Sequence, residues 1–210
     1  MDKDKHGFDR RPSGSPPIAR LLIATTNPGK VREICEILAG VPIELHGLDE
    51  FPGIPDPEET GTTFAENARL KALYYSDKTG LPAAADDSGI EIDALGGGPG
   101  VHSARWQGTD YGVKFAAIYR ELARQKLTTS AARFVAHVAV ARDGLIVFEA
   151  TGIVEGEIAA EPRGTHGFGY DPIFLYPPYG CTLAEVDGEM KALVSHRGKA
   201  FREVRAWLNP

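Results

Sequence analysis

The stretch Leu21-Leu22-Ile23-Ala24-Thr25-Thr26-Asn27-Pro28-Gly29-Lys30 decides the reading of this chain. Its four leading apolar residues have the length of a buried strand, and they run straight into a polar turn. A helix is expected at once. Asn27 is a good N-cap, Pro28 suits the first helical position, and Val31, Ile34, Cys35 and Leu38 recur at i, i+3, i+4 and i+7. Cys35 is therefore expected in the core. A strand entering a helix through a short turn directs unpaired backbone N–H groups and the positive helix end at an anion. With the hydroxyls of Thr25 and Thr26, the Asn27 amide and the Lys30 ammonium beside them, a triphosphate is the natural guest. The Walker spacing is absent, and an ordinary Asn-Pro turn with a solvated lysine has the same local look.

Working outward, residues 49–61 are rich in proline, glycine and acid and read as an exposed loop. Thr63-Phe64-Ala65-Glu66 has the form of a capping box, so a second helix starts there. It continues through Ala68, Ala72 and Tyr75 to Gly80, where a left-handed cap and Pro82 just beyond would end it. Ala83-Ala84-Ala85 then reads as a short strand delivering Asp86-Asp87-Ser88-Gly89 at its end, where ligands of α/β proteins collect. Two adjacent carboxylates after an apolar strand are costly unless they hold a cation or are solvated. Magnesium suits them better than calcium or zinc, because it takes one or two carboxylates together with phosphate oxygens, and no EF-hand series or His/Cys cluster is present. Glu58 and Glu59 offer another carboxylate, although acidic runs are usually solvated.

The glycine-rich turn Gly96-Gly97-Gly98-Pro99-Gly100 precedes a helical stretch over residues 113–123. Residues 133–142 alternate Phe134, Ala136, Val138 and Val140 against their neighbours, and Asp143-Gly144 turns them into an antiparallel partner over 145–150. In Gly167-Phe168-Gly169-Tyr170-Asp171-Pro172 glycines alternate with rings, so a flat ligand such as a purine can approach the backbone closely. A glycine-rich hairpin with its aromatics packed inward is the other reading. Ile173-Phe174-Leu175 is a short strand. Lys191 and Ser195-His196-Arg197 gather two cations and an imidazole near the start of a closing helix, whose apolar face is Phe201, Val204 and Leu208.

Composition bounds the function. The 210 residues are 42% hydrophobic and 25% charged, which suits a folded unit of one or two domains. The net charge of −6 repels nucleic-acid backbones and favours small phosphorylated ligands. No stretch is long and apolar enough for a membrane span. Cys35 and Cys181 match no metal-ligand spacing or disulfide framework, so a reducing, cytoplasmic setting is expected. Residues 1–19, with Arg11-Pro12-Ser13-Gly14-Ser15-Pro16-Pro17, read as a disordered extension. Residues 20–210 are then one domain.

From about Leu21 to Leu208 the chain resembles the inosine triphosphate pyrophosphatase family, the noncanonical purine NTP pyrophosphatases. The resemblance rests on six stretches in order: Thr26-Asn27-Pro28-Gly29-Lys30 with Glu33, Thr63-Phe64-Ala65-Glu66-Asn67-Ala68, Ala85-Asp86-Asp87-Ser88-Gly89, Gly100 with Ser103-Ala104-Arg105, the Gly167 to Pro172 loop, and Ser195-His196-Arg197-Gly198. It implies an elongated α/β protein with a mixed sheet flanked by helices, two lobes with a central cleft, and a homodimer. It also implies that Thr25-Thr26-Asn27-Pro28-Gly29-Lys30 hold phosphates and that Asp87 is general base and metal ligand. Ser88, Phe168, Gly169, Tyr170, Asp171, Lys191, His196 and Arg197 then contact substrate. One glutamate of the Glu58-Glu59 pair joins the metal site.

On that resemblance the expected reaction is hydrolysis of ITP, dITP or XTP to monophosphate and pyrophosphate. Mg²⁺ would be held by Asp87 and one glutamate, and Asp86 or Asp87 would orient a water for in-line attack. Lys30 and the helix end would neutralise the leaving pyrophosphate. Hypoxanthine and xanthine offer O6 as an acceptor where adenine has a donor, so Arg197 or His196 as a donor at O6 would reject adenine, and Phe168 would stack on the base. A nucleotide-binding module without hydrolysis, and a pyrophosphatase for other modified nucleotides, are the competing expectations.

Overall fold

The structure, a computed structural model, describes Phe8–Asp9 and residues 17–209. Its strands are β1 (Phe8–Asp9), β2 (Arg20–Ile23), β3 (Glu44–Gly47), β4 (Ala83–Ile92), β5 (Ala131–Arg142), β6 (Leu145–Ile158), β7 (Phe174–Tyr176) and β8 (Cys181–Thr182). The helices are α1 (Pro28–Leu38), α2 (Phe64–Thr79), α3 (Tyr111–Arg124), α4 (Gly188–Val194) and α5 (His196–Leu208). The strands are ordered β3-β2-β4-β5-β6-β7-β8, with β1 antiparallel on β6, Phe8 opposite Glu149. β2 is parallel to both β3 and β4, whereas β6, β7 and β8 pair antiparallel. The fold is thus mixed α/β, as expected. The extension expected over residues 1–19 falls mostly outside the described residues.

The chain divides into two compact units. The first comprises Met1–Asp87, Ala136–Gly152 and Arg197–Pro210, and the second Ser88–Val135 and Ile153–His196. In the first unit, strand alternation sorts the core into two faces. Leu21, Ile23, Ala84, Val138 and Val140 pack with Ile34 and Leu38 of α1 and Phe201 and Val204 of α5. Leu22, Ala24, Ala83, Ala85, Ala139 and Ala141 pack with Ala68, Ala72 and Tyr75 of α2. Alanine on both partners of that second face lets α2 lie close to the strands. Gly80 ends α2 in the left-handed conformation, as its sequence predicts.

In the second unit, Ile118 and Leu122 of α3 cover Ile90, Ile92, Phe134, Ile158 and Phe174. Asp110 caps α3 by accepting from Gly112 N at 2.7 Å.

Three expectations are corrected. Cys35 is exposed, because α1 turns Ile34, Ile37 and Leu38 inward instead. β4 does not stop before the acidic pair: Asp86 and Asp87 lie inside the strand, which continues because Ile90 and Ile92 find their own core. β6 likewise runs on past residue 150 to Ile158. The short elements β3, β8 and α4 carry no strong periodicity and are not anticipated. The Asp143-Gly144 turn is as expected, with φ of 52° and 76°, the left-handed pair a two-residue hairpin requires.

Candidate active site

The first unit gathers seven charged side chains around the start of α1. Asn27 caps that helix, its Oδ1 accepting from Gly29 N at 2.9 Å and Lys30 N at 3.2 Å, and its own N–H donates to Thr25 Oγ1 at 3.2 Å. The cap is worth about 1 kcal/mol and fixes the turn that carries Lys30. Thr26, Asn27 and Pro28 are exposed, while Thr25, Gly29 and Lys30 are half-buried.

Lys30 Nζ lies 3.1 Å from Asp86 Oδ2, and Arg197 Nε reaches the same oxygen at 3.2 Å. The second arm of Arg197 ion-pairs with Glu33 at 2.7 Å. The guanidinium is only 2% exposed, so this pairing is a buried one. Burial acts to raise the pKa of Asp86, but Lys30, then Arg197 and Lys71, outweigh it and hold the carboxyl well below the usual carboxylate range. Burial pulls Lys30 the other way, below its ordinary value, against the attraction of Asp86. Asp86 Oδ1 is buried and has no hydrogen-bond partner among the described residues.

Asp87 is held from α2. Asn67 Nδ2 donates to its Oδ2 at 3.1 Å, and Lys71 Nζ lies 3.0 Å from its Oδ1 and 2.9 Å from Glu59 Oε1. Asn67 is itself oriented by Gly61 N, which donates to its Oδ1 at 2.8 Å. The capping box of Thr63 and Glu66 forms as expected and starts the helix that aims both side chains. Glu59 therefore faces Asp87 across one ammonium, whereas Glu58 is exposed. Asp87 and Glu59 thus share one ammonium, and this pair of oxygen donors could hold a divalent cation. Among the described residues no group of three or more His, Cys, Asp or Glu side chains gathers as a larger metal site.

The second unit holds the other expected residues. Asp171 is buried, its Oδ2 accepting from Phe168 N at 2.8 Å and from Lys191 Nζ at 2.7 Å. Lys191 Nζ lies 4.6 Å from the centre of the Phe168 ring, a cation–π contact. Gly167 has φ of 71°, and any Cβ there would run into the Asp171 carboxylate, so the turn admits only glycine. Gly169 is also left-handed, at 69°. Tyr170 is buried edge-on against Tyr111, ring centres 5.3 Å apart. His196 is buried and stacks on Phe134 at 4.8 Å. Ser88 is half-buried in β4.

Lys71 is the residue sequence reasoning passed over. Its signal was present: it stands one helical turn after Asn67, on a helix whose start was recognised. Glu33 and Asn67 lie inside the stretches quoted above, but spacing assigns them no role, because their partners Arg197 and Asp87 are distant in sequence.

Fold and site define a mixed α/β protein whose buried charges gather at a strand-to-helix junction. The chain belongs to the Ham1 family, whose sequence model matches residues 21–207. It is similar to a dITP/XTP pyrophosphatase of Exiguobacterium sp., 43% identical over 194 residues that span 91% of this chain and 97% of that protein. A dITP/XTP pyrophosphatase of Geobacter sulfurreducens is 45% identical over 186 residues, 88% of this chain and 94% of its own. Among solved structures, a HAM1 protein from Coxiella burnetii superposes with a TM-score of 0.83 at 38% identity, covering 91% of this chain and 98% of that one.

Proposed function

We propose that this protein is a nucleoside triphosphate pyrophosphatase that hydrolyses the noncanonical purine nucleotides ITP, dITP and XTP to monophosphate and pyrophosphate. The observation that carries the reading is the buried charge cluster at the start of α1, in a chain of the Ham1 family. Its four carboxylates, Glu33, Glu59, Asp86 and Asp87, exceed its three cations, Lys30, Lys71 and Arg197, by one charge. A cluster of that sign repels a polyphosphate unless a divalent cation joins it.

Asp87 and Glu59 would hold the metal, magnesium by the chemistry of the donor set. When bound, it supplies charge neutralisation and polarises a phosphoryl oxygen. Asp87 orients a water and takes its proton as the water oxygen attacks the α-phosphorus. The bond from that phosphorus to the α–β bridging oxygen breaks, and pyrophosphate leaves with the electron pair. Lys30, Lys71 and the positive end of the α1 dipole stabilise the charge on the leaving group, while Thr25, Thr26, Asn27, Pro28 and Gly29 shape the phosphate cradle. Asp86 anchors Lys30 and Arg197, and its carboxylate is the second candidate for orienting the water.

Base recognition falls to the second cluster and its neighbours. Phe168 stacks on the purine, and Gly169, Tyr170, Asp171, Lys191 and Ser88 contact the nucleoside. Since Arg197 is bound by two carboxylates, His196 is assigned as the donor to O6, the atom that separates hypoxanthine and xanthine from adenine. A homodimer, on the family resemblance, and a cytoplasmic location, on the unpaired Cys35 and Cys181, complete the proposal; light scattering in solution tests the first. No described helix is long and apolar enough to cross a membrane.

A phosphate-release assay with a coupled inorganic pyrophosphatase, run across ITP, dITP, XTP, ATP, GTP and dUTP, tests the reading. Turnover of the first three with pyrophosphate as product is expected. Equal turnover of ATP, or release of single phosphate without the coupling enzyme, refutes it.

A further inference from the structure

A buried lysine outside the charge cluster has no role in the chemistry above. Lys114 comes from the first turn of α3, just after the Asp110 cap, and its side chain is 0% exposed. Its ammonium donates to Ser103 O at 3.0 Å and Ala104 O at 2.7 Å. It also lies 4.5 Å from the Tyr111 ring centre and 5.7 Å from that of Tyr170. No carboxylate stands within ion-pairing distance among the described residues. Burying an ammonium without a counter-charge is expensive, and a leucine or methionine would fill the same space without that expense. The carbonyls it holds are what such a residue adds.

Those carbonyls belong to a junction. Ser103 O accepts a second hydrogen bond, from the Tyr170 hydroxyl at 2.9 Å. Ser103 Oγ accepts from Ile90 N at 2.9 Å and donates to Gly100 O at 2.6 Å. A Cβ on Gly89 would collide with Gly100 O and Ser103 Oγ, so the strand and the turn are in backbone contact. Tyr170 in turn is flanked by Gly169 and by Asp171, the carboxylate that fixes Phe168 N and Lys191.

We infer that Lys114 is a positioning residue for base recognition. Its ammonium pins the Ser103-Ala104 backbone, the pinned Ser103 carbonyl and the edge-on Tyr111 ring hold Tyr170, and Tyr170 holds the turn of residues 167–171 in the shape that presents Phe168. The inference rests on the proposed assignment of that turn to the purine. It predicts a defect in base reading and not in phosphoryl chemistry.

Lys114→Met keeps the apolar stem and removes the donors. In steady-state kinetics the KM for ITP should rise about tenfold with kcat within about twofold of wild type, and the preference for ITP over GTP in kcat/KM should fall about tenfold. A variant folded by circular dichroism that keeps wild-type KM and preference, or that loses kcat alone, overturns the inference. If Lys114→Met does not fold, Lys114→Gln carries the test, because it removes the charge and the reach to the Ser103 and Ala104 carbonyls while keeping a polar end. A raised KM is then expected, and unchanged kinetics overturns the role. Wild-type protein inactive on ITP would instead sink the proposed function, so the two failures are told apart.

Discussion

Glu59 and Asp87 grip the same ammonium: Lys71 Nζ is 2.9 Å from Glu59 Oε1 and 3.0 Å from Asp87 Oδ1. Twenty-eight positions separate the two acids in sequence, and α2 brings them to one cation by aiming Lys71 back at the loop that precedes the helix. This relationship singles out one glutamate of the acidic pair. Glu59→Gln should raise the magnesium concentration needed for half-maximal activity by about tenfold, in line with the loss of a metal-site partner. Glu58→Gln should leave it unchanged. A magnesium titration of initial rates decides, and equal effects of the two substitutions would return the choice to open.

Asp87→Asn should fold and fail at the chemical step. Asn67 can still pair with the amide oxygen, so the melting temperature should move little, while the rate of pyrophosphate release drops by about 10²-fold or more. Rates at saturating magnesium that match wild type would remove Asp87 from the mechanism.

Arg197 carries a structural load that the binding proposal does not require. It is bonded to Asp86 and Glu33, and its removal leaves both acids short of a partner in a buried place. Arg197→Met should destabilise the protein by about 3 kcal/mol, read from urea unfolding. A shift below about 1 kcal/mol, the range of an exposed pair, would mean that solvent reaches this contact.

Acid stability follows from Asp86. Its folded pKa is depressed by Lys30 and Arg197 in spite of burial, so the unfolded chain takes up the proton first. The stabilisation is therefore complete above about pH 5 and is lost as pH falls through the folded value. Asp86→Asn should flatten the dependence of unfolding free energy on pH between about 5 and 2. An unaltered slope in that window would show that Asp86 titrates normally.

Phe168→Ala should raise the KM for ITP by about ten- to a hundredfold with little change in kcat, because stacking binds ground and transition states alike. A fall in kcat with constant KM would be falsifying for the stacking role.

The amino-acid sequence by itself determined the local events. Asn27 and Thr63 cap their helices where their side chains reach back to the first free N–H groups, Gly80 closes α2, the continuous apolar run of β2 marks a strand buried on both faces, and Asp143-Gly144 turns β5 into β6. These depend on neighbours within a few residues, so spacing alone carries them. Tertiary structure decided which charges meet. Arg197 finds Asp86 across 111 positions and Glu33 across 164, Lys71 selects Glu59 over Glu58, and Cys35 turns outward because Ile34, Ile37 and Leu38 take the buried face of α1. Ion pairing has no sequence period: opposite charges attract wherever the packing of strands and helices leaves them, and that packing is settled by the apolar core.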